Sequence, residues 1–210
     1  MKNKEKKLLL FDFDGVVVDS LDFYEKLVRD GLAAIGSSIA ETRDDFIALF
    51  DDNFYAALTK RGVDAAVFNR VVADVIPHAD YSAIHPFDGL FPVLRELRDR
   101  HTLAVISSNS RYAIERLLKK TGCVSCFDDI LGADETLSKV KKIENAVEKW
   151  RVDKDAAYYI GDTVGDVKEA KAAGITVIAV TWGWHPRARL EKARPDYIVD
   201  TPEELRGIVA

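Results

Sequence analysis

The sequence predicts an α/β fold in which helices cover both faces of a parallel β-sheet. Short apolar segments that are typical of buried strands recur at residues 7–12, 102–107, 127–131, 156–161, 175–182 and 197–199. Helical patterns lie between the later segments, at residues 90–100, 112–120, 141–150, 166–173 and 187–193. Strands and helices that alternate at this interval indicate a three-layer, Rossmann-like core.

Glycine and proline residues mark where the predicted helices of this core begin and end. Gly174 follows one helical pattern and is expected to end that helix. Pro186 is expected to open the next helix, and Pro202 the last one. These signals favour helices, rather than extended segments, between the later strands.

Residues 19–86 break the alternation of strands and helices. They show helical periodicity, turn-like glycines and no convincing strand. We therefore predict that residues 19–86 form an inserted α-helical cap domain, and that residues 1–18 and 87–210 form the core. An insertion directly after the first strand favours a lid over the crevice, and the alternative is an extra helical layer packed permanently on the core.

Composition and charge limit the classes of partner. The 210 residues are 48% hydrophobic, enough to bury a full core, and the net charge is −5 without a long run of either sign. Such a surface predicts no nucleic-acid partner and no binding to an anionic membrane. The apolar runs are too short to span a bilayer, and the charged N-terminus lacks the features of a signal peptide. We therefore expect a cytoplasmic protein, and the sequence sets no oligomeric state.

Cys123 and Cys126 have the spacing of a CxxC motif. One such pair, without a second pair or nearby histidines, cannot close a four-ligand zinc site. Two cysteines in a chain of this size fit a reducing compartment, so we expect free thiols that are buried by packing.

Two aspartates end the first apolar run, where residues 8–16 read LLLFDFDGV. Side chains at positions i and i+2 of a strand point the same way, so Asp12 and Asp14 are expected to leave the sheet together. In an open α/β sheet the ligand crevice lies outside the carboxyl ends of the strands. Two carboxylates about 4 Å apart repel by roughly 4 kcal/mol at an effective dielectric of about 20. We therefore expect a cation to bind between them.

A second acidic pair follows the apolar segment at residues 156–160. Asp162 and Asp166 are four residues apart, so they share one face of the helix that is predicted to begin there. Either one alone is typical of a helix cap, but both lie at the sheet edge that carries Asp12 and Asp14. Four carboxylates from two strand ends suit Mg²⁺ better than Zn²⁺, since no histidine or cysteine lies near either pair.

Hydroxyl groups and a lysine complete the predicted cluster. Ser107 and Ser108 follow a core strand and, taken alone, indicate a helix-capping segment. Lys139, Lys141 and Lys142 precede the strand of Asp162 by one helix, and each alone is typical of a solvated surface charge. Together with Mg²⁺, one lysine would offset the repulsion between a phosphate dianion and the carboxylates. The combination predicts phosphoryl transfer, in which one carboxylate attacks phosphorus and another carries the proton.

These motifs resemble those of the haloacid dehalogenase superfamily of phosphatases. The DFDG sequence at residues 12–15 matches the family's DxDG motif, and residues 161–166 match its GDxxxD motif. Ser107 matches the serine or threonine that ends the second strand of the family. Lys139 is the best match for the lysine of the third motif, with the two neighbouring lysines as alternatives.

The resemblance implies a role for each matched residue. Asp12 would be the nucleophile, and Asp14 the general acid and base as well as a metal ligand through its backbone carbonyl. The magnesium site would be completed by Asp12, Asp162 and Asp166, the last of these through water. The phosphoryl group would be bound by Ser107 and Lys139. Ser108, which the resemblance does not match, is a further candidate to bind it because it follows Ser107.

The insertion after the first motif resembles the helical cap of the subgroup that contains phosphoglycolate phosphatase. The expected function is Mg²⁺-dependent hydrolysis of a small phosphorylated metabolite. One alternative is a phosphomutase of the β-phosphoglucomutase type, although those enzymes usually have a histidine where Tyr24 stands. A phosphate-binding regulatory module without turnover is the other. In the cap, Lys60 and Arg61 are candidates to contact the far end of an anionic substrate, although a solvated helix end is the simpler interpretation.

Overall fold

The computed structural model describes residues 6–210 and has a six-stranded parallel sheet at its centre. The strands are β1 (Leu8–Phe11), β2 (Val18–Asp19), β3 (His85–Pro86), β4 (Thr102–Ile106), β5 (Asp129–Leu131), β6 (Ala157–Gly161), β7 (Thr176–Val180) and β8 (Tyr197–Val199). The α-helices are α1 (Leu21–Ala34), α2 (Arg43–Ala48), α3 (Phe54–Lys60), α4 (Ala65–Val75), α5 (Leu90–Arg98), α6 (Arg111–Thr121), α7 (Lys139–Trp150), α8 (Val164–Ala173), α9 (Arg187–Ala193) and α10 (Leu205–Ile208). Among these helices of the described chain, none has the length and apolar character needed to cross a bilayer.

Strand β1 lies in the interior of the sheet, whose strand order is β5-β4-β1-β6-β7-β8. It pairs in parallel with β4 on one side and with β6 on the other. All four of its residues are fully buried, as expected for a strand with helices on both faces. The α/β fold predicted from the alternation of strands and helices is confirmed.

The two faces of β1 pack against different helices. Leu9 and Phe11 belong to a cluster of buried side chains with α5 and α6, whereas Leu8 and Leu10 belong to a cluster with α7 and α8. Side chains alternate across a strand, so this one short strand contributes to both layers. Each such side chain stabilises the fold by about 1.5–3 kcal/mol, which fixes the position of the residues that follow the strand.

Helix starts differ from the predictions for local reasons. Helix α7 begins two residues early because the Ser138 hydroxyl accepts a hydrogen bond from the backbone N–H of Lys141. Helix α8 also begins before the predicted residue 166, because Thr163 and Asp166 cap each other reciprocally. Gly174 ends α8 in a left-handed conformation, as predicted.

The segment of residues 19–86, called the cap segment below, is mainly helical and contains α1 to α4. Most of its buried apolar side chains form a cluster of their own, which Trp184 joins, whereas Tyr81 and Ile84 pack with the core. The prediction that the segment contains no strand is wrong at its two ends, where β2 pairs antiparallel with β3. This pairing holds together the two points at which the chain leaves and re-enters the core. The division into two domains stays a prediction.

Cys123 and Cys126 are buried as predicted, but the structure joins them by a disulfide bond. The expectation of free thiols is therefore wrong. The short turn between α6 and β5 brings their Cα atoms within 5.2 Å of each other, which is within reach of a disulfide.

Candidate active site

The predicted site residues lie at the carboxyl end of the sheet. Asp12 follows β1, Asp162 follows β6 and Ser107 follows β4, and these three strands are neighbours. The backbone N–H of Asp12 donates to the carbonyl oxygen of Ile160 at 2.8 Å, so the pairing of β1 with β6 continues up to the acidic residue. Parallel neighbours thus bring residues that are far apart in sequence into one crevice.

Three carboxylates and one ammonium group form a buried cluster in this crevice. Asp12, Asp162 and Asp166 each offer an oxygen, and these oxygens lie within 4.8 Å of one another. Lys139 Nζ donates to Asp12 Oδ2 at 2.7 Å and to Asp166 Oδ1 at 2.6 Å. The Lys139 side chain is 8% exposed, so removing it would leave two buried charges without their partner.

Burial sets the protonation of this cluster. It raises the pKa of Asp12 to about 7 despite the adjacent Lys139 ammonium. Burial and the carboxylates of Asp166 and Asp12 also raise the pKa of Asp162 well above its ordinary value. Burial acts to raise the pKa of Asp166 too, but Lys139 and Thr163 outweigh it and hold that pKa below its ordinary value. The cluster therefore contains three carboxyl groups, and the single positive charge of Lys139 cannot neutralise all of them when they are ionised.

The surroundings of Asp162 fit a divalent cation. Its Oδ2 accepts a hydrogen bond from the backbone N–H of Trp184 at 2.6 Å, whereas its buried Oδ1 has no hydrogen-bond partner among the described residues. A buried carboxylate oxygen without a partner is unfavourable unless a cation binds it. The backbone of Gly15 and Gly183 lies very close to the Asp162 carboxylate. A Cβ at Gly15 would lie 2.2 Å from Asp162 Oδ2, and a Cβ at Gly183 would lie 2.3 Å from it. This oxygen-rich arrangement suits Mg²⁺.

Both carboxylate oxygens of Asp166 already accept hydrogen bonds. Oδ1 accepts from Lys139 Nζ and from the Tyr159 hydroxyl, and Oδ2 accepts from the backbone N–H and the hydroxyl of Thr163. Asp166 is therefore at once the cap of α8 and the counter-ion of Lys139. These bonds favour contact with a metal ion through water rather than directly.

The Asp14 carboxylate lies outside the three-carboxylate cluster, which corrects the expectation of four clustered carboxylates. Strand β1 ends at Phe11, so strand alternation does not govern Asp14. Its Oδ1 accepts a hydrogen bond from the Ser20 hydroxyl at 2.8 Å, and its Oδ2 accepts one from Asn109 Nδ2 at 3.4 Å. Burial raises the pKa of Asp14 to about 6, and these two hydrogen bonds limit the rise. Asp12 and Asp14 thus have different environments.

The three candidate lysines have three different environments. Lys139 binds Asp12 as described, whereas Lys141 is exposed and pairs with Glu144. Lys142 is fully buried, but its ammonium donates to backbone carbonyl oxygens of the loops after β4 and β5. Successive positions on a helix point in different directions, so the start of α7 decides which lysine faces Asp12.

Ser107 and Ser108 line the same cavity as the carboxylate cluster. The Ser107 hydroxyl accepts a hydrogen bond from the backbone N–H of Asn109 at 3.0 Å, which orders the turn after β4. The carbonyl oxygen of Ser108 accepts one from the Tyr55 hydroxyl at 3.0 Å. The second bond joins the core to the cap segment beside the predicted phosphate site.

The cap segment lies directly over this site. Asn53 Nδ2 donates to Glu169 Oε1 at 3.0 Å, and Arg189 forms a two-pronged ion pair with Asp51. Between core and cap segment the chain encloses a cavity of about 280 Å³. Its lining includes residues of both segments, so a bound molecule would contact both.

Tyr24, Asn109 and Trp184 line the cavity, although the sequence does not single them out as site residues. Asn109 hydrogen-bonds both to Asp14 and to the Tyr24 hydroxyl. Trp184 packs edge-on against Phe50 of the cap segment, and its buried Nε1 has no hydrogen-bond partner among the described residues. The polar run after β4 is a sequence signal for Asn109. Trp184 lies in the loop after β7, at the carboxyl end of the sheet, and its position there is the signal that could have found it. Tyr24 has no such signal, because packing of the cap segment over the core brings it to the site.

Comparison with known proteins gives the family. The model of the haloacid dehalogenase-like hydrolases matches residues 9–180. The chain belongs to this family. It is 31% identical to the phosphoglycolate phosphatase of Synechococcus elongatus, over 94% of each chain. It is also 31% identical to the probable phosphatase IndB of Dickeya dadantii, over 96% of this chain and 93% of that one.

A solved structure supports the same assignment. A protein from Clostridium acetobutylicum, described as a predicted phosphatase, has a TM-score of 0.84 to this chain at 25% sequence identity. The match covers 97% of this chain and 98% of that one. The predicted resemblance to haloacid dehalogenase-type phosphatases is confirmed, and the fold predicted with it.

Proposed function

We propose that this haloacid dehalogenase-like hydrolase is a Mg²⁺-dependent phosphatase that hydrolyses a small phosphomonoester through a phosphoryl-aspartate on Asp12. One observation carries the proposal: the partnerless Asp162 Oδ1 lies in the same buried cluster as the Asp12–Lys139 pair. Such a cluster offers both a nucleophilic carboxylate and a place for a cation. The relatives named as phosphatases support the class of reaction.

The chain's own residues suit the metal. Asp12 and Asp162 would hold Mg²⁺ through carboxylate oxygens, Asp14 through its backbone carbonyl and Asp166 through water. The bound ion supplies positive charge that offsets the repulsion between a phosphate dianion and the carboxylates. Asp166 would act through water because its own oxygens already accept hydrogen bonds.

Two aspartates divide the chemistry. The Asp12 carboxylate attacks phosphorus, and the bond from phosphorus to the alcohol oxygen breaks as Asp14 donates its proton to that oxygen. Water then attacks the phosphoryl-aspartate, and Asp14 takes up the proton that is released. Free Asp12 and inorganic phosphate result. A pKa of about 6 suits Asp14 for giving and taking a proton near neutral pH.

Lys139, Ser107 and Ser108 would bind the phosphoryl oxygens. The Lys139 ammonium, held between two carboxylates, supplies positive charge at the position where the phosphoryl group meets Asp12. The two serines follow β4 on the same cavity wall, where hydroxyl and backbone N–H groups would serve as donors.

Phosphate release from p-nitrophenyl phosphate tests this proposal. We expect turnover with Mg²⁺, loss of turnover in excess chelator, and recovery when Mg²⁺ is restored. Full activity in chelator would contradict the metal assignment. No turnover of any phosphomonoester with Mg²⁺ would contradict the proposal and favour a regulatory module.

Product analysis with a hexose phosphate separates hydrolysis from the mutase alternative. We expect inorganic phosphate and free sugar, whereas an isomeric sugar phosphate would identify a mutase. We also expect the enzyme to act on metabolites of the cytoplasm.

A further inference from the structure

The cavity between core and cap segment is small and contains the reacting groups at one wall. Its volume of about 280 Å³ lies at the lower end of the range for small-molecule sites. Asp12, Asp14 and Lys139 belong to the core wall. The part of a substrate that leaves as an alcohol must therefore lie against the opposite wall, which the cap segment forms.

The cap wall is apolar and aromatic. Helices α1, α3 and α4 and the turn before α3 contribute its main side chains, which are Leu27, Val28, Phe50, Phe54, Phe68 and Val72. The nearby phenol groups already have protein partners, since the Tyr55 hydroxyl donates to Ser108 and the Tyr24 hydroxyl contacts Asn109. Contact with such a wall favours alkyl or aromatic groups over strongly hydrated ones.

The cavity has no spare positive charge. Among the described residues that line it, Lys139 is the cationic side chain, and two carboxylates already hold its ammonium. The acidic side chains of the lining are Asp12, Asp14, Asp52, Asp134, Asp166 and Glu169. A second anionic group on a substrate would lose its hydration here without gaining a counter-charge, which is strongly unfavourable.

Three basic side chains that contact the cap segment are engaged outside the cavity. Arg61, Arg116 and Lys120 donate to backbone carbonyl oxygens of the cap segment, and none of them lines the cavity. Lys60 is exposed at the end of α3 and also lies outside the lining. The structure thus places neither Lys60 nor Arg61 where it could contact the far end of an anionic substrate.

We propose that the alcohol part of the substrate is uncharged and largely apolar, such as a short branched alkyl or aromatic alcohol. This rests on the proposed phosphatase function and names the substrate class of the same site. The proposed substrate class differs from phosphoglycolate, the substrate in the name of the Synechococcus relative, because phosphoglycolate carries a carboxylate next to the ester. A cationic alcohol finds no unpaired carboxylate at the far end either, because the remaining acidic side chains of the lining already have partners. Asp52 pairs with Lys168, Asp134 accepts a hydrogen bond from the backbone N–H of Arg111, and Glu169 accepts from Asn53 and from the backbone N–H of Lys139.

Matched pairs of esters test the charge and the apolarity separately. 2-Phosphoglycolate and 2-phosphoglycolamide have nearly the same shape, and we expect kcat/KM to be at least about tenfold higher for the neutral amide. Benzyl phosphate and ethyl phosphate both release alcohols of low acidity, and we expect kcat/KM to favour benzyl phosphate by about tenfold or more. Equal values, or a preference for phosphoglycolate or phosphocholine, would overturn the inference.

A lysine introduced into the cap wall tests whether the lack of positive charge causes the preference for a neutral alcohol. Asn69 lines the cavity on α4, and Asn69→Lys should raise kcat/KM for 2-phosphoglycolate by about tenfold relative to the amide. Ser38→Lys adds the same charge to an exposed position of the cap segment outside this cavity and should leave the ratio unchanged. If thermal melting shows that Asn69→Lys does not fold, Ala73→Lys at the exposed rim of the same helix replaces it. No change of the ratio in a folded variant would contradict the inference.

The outcomes separate the two proposals. Hydrolysis of all these esters with phosphoglycolate preferred would leave the phosphatase function standing and reject the substrate class. No hydrolysis of any of them with Mg²⁺ would reject the phosphatase function itself.

Discussion

The two walls of the active-site cavity differ in chemistry. On the core wall, Asp12, Lys139 and Asp166 are joined by buried, charged hydrogen bonds of 2.6 to 2.7 Å. On the cap wall, α1 and α4 present apolar side chains, such as Leu27 and Phe68, and no charge. In the proposed function, the core wall binds the phosphoryl group and the cap wall selects the alcohol that is attached to it.

This difference has consequences for kinetics. Interactions that strengthen as charge moves at phosphorus act mainly on kcat, and they are confined to the core wall. Packing against the cap wall is present before and during reaction, so it acts mainly on kcat/KM for a particular alcohol. Substitutions on the two walls should therefore be separable by kinetics.

The largest effect is expected for Asp12→Asn on the core wall. The amide cannot form the phosphoryl-aspartate, so kcat should fall by about 10⁴-fold or more for every ester, apolar or charged. Steady-state phosphate release measures this, and circular dichroism checks the fold. A loss limited to one class of alcohol would contradict the separation of the walls.

Lys139→Met should lower kcat by about 10²- to 10³-fold, since it removes the cation that faces both Asp12 and the phosphoryl group. Two neighbouring lysines serve as matched controls. Lys142→Met should instead lower the free energy of unfolding by about 2 kcal/mol, because two buried carbonyl oxygens lose their donor. Lys141→Met, at an exposed position, should change neither. Equal losses of kcat in Lys139→Met and Lys141→Met would contradict the assignment.

Gly15→Ala tests the metal position. A Cβ at Gly15 would lie 2.2 Å from Asp162 Oδ2, so the affinity for Mg²⁺ should fall by about tenfold or more. Gly62→Ala is the control: the φ angles of Gly15 and Gly62 are +80° and +82°, but a Cβ at Gly62 meets nothing within 4 Å. Both variants should lose about 1 kcal/mol of stability from backbone strain, and Gly15→Ala should lose more because its Cβ also displaces Asp162. Calorimetric titration with Mg²⁺ should distinguish them, and equal affinities would place the ion elsewhere.

Ser20→Ala is expected to have the smallest effect, a shift in the pH dependence of kcat/KM. The Ser20 hydroxyl donates to the Asp14 carboxylate, which favours the ionised form and lowers the pKa of Asp14. Without this bond the pKa rises, and Asp14 stays protonated to higher pH. The alkaline limb of kcat/KM should therefore move to higher pH for esters whose alcohol needs a proton. A shift to lower pH would argue against Asp14 as the acid.

Sequence alone predicts the core wall well because local rules govern it. Apolar runs identify the buried strands, and parallel pairing places the ends of β1, β4 and β6 together. This is enough to bring Asp12, Ser107 and Asp162 to one edge. Strand alternation does not hold beyond the end of a strand, which is why the prediction that Asp14 joins the carboxylate cluster is wrong.

The remaining features depend on details that sequence patterns do not contain. Lys139 is distinguished from Lys141 and Lys142 by the Ser138 cap that starts α7. The cap wall depends on packing between helices far apart in sequence, so the places of Leu27 and Phe68 in the cavity have no local signal. The disulfide likewise depends on a tight turn that CxxC spacing alone does not reveal.

The most direct test is to trap the intermediate in an Asp14→Asn variant with Mg²⁺ and p-nitrophenyl phosphate. Nitrophenolate leaves without needing a proton, so the first step should proceed, whereas hydrolysis lacks its base and should stall. Mass spectrometry after acid quench should show one phosphoryl group per chain, located on Asp12 by peptide mapping. Release of nitrophenol without a protein-bound phosphoryl group, or a phosphoryl group on another residue, would contradict the mechanism.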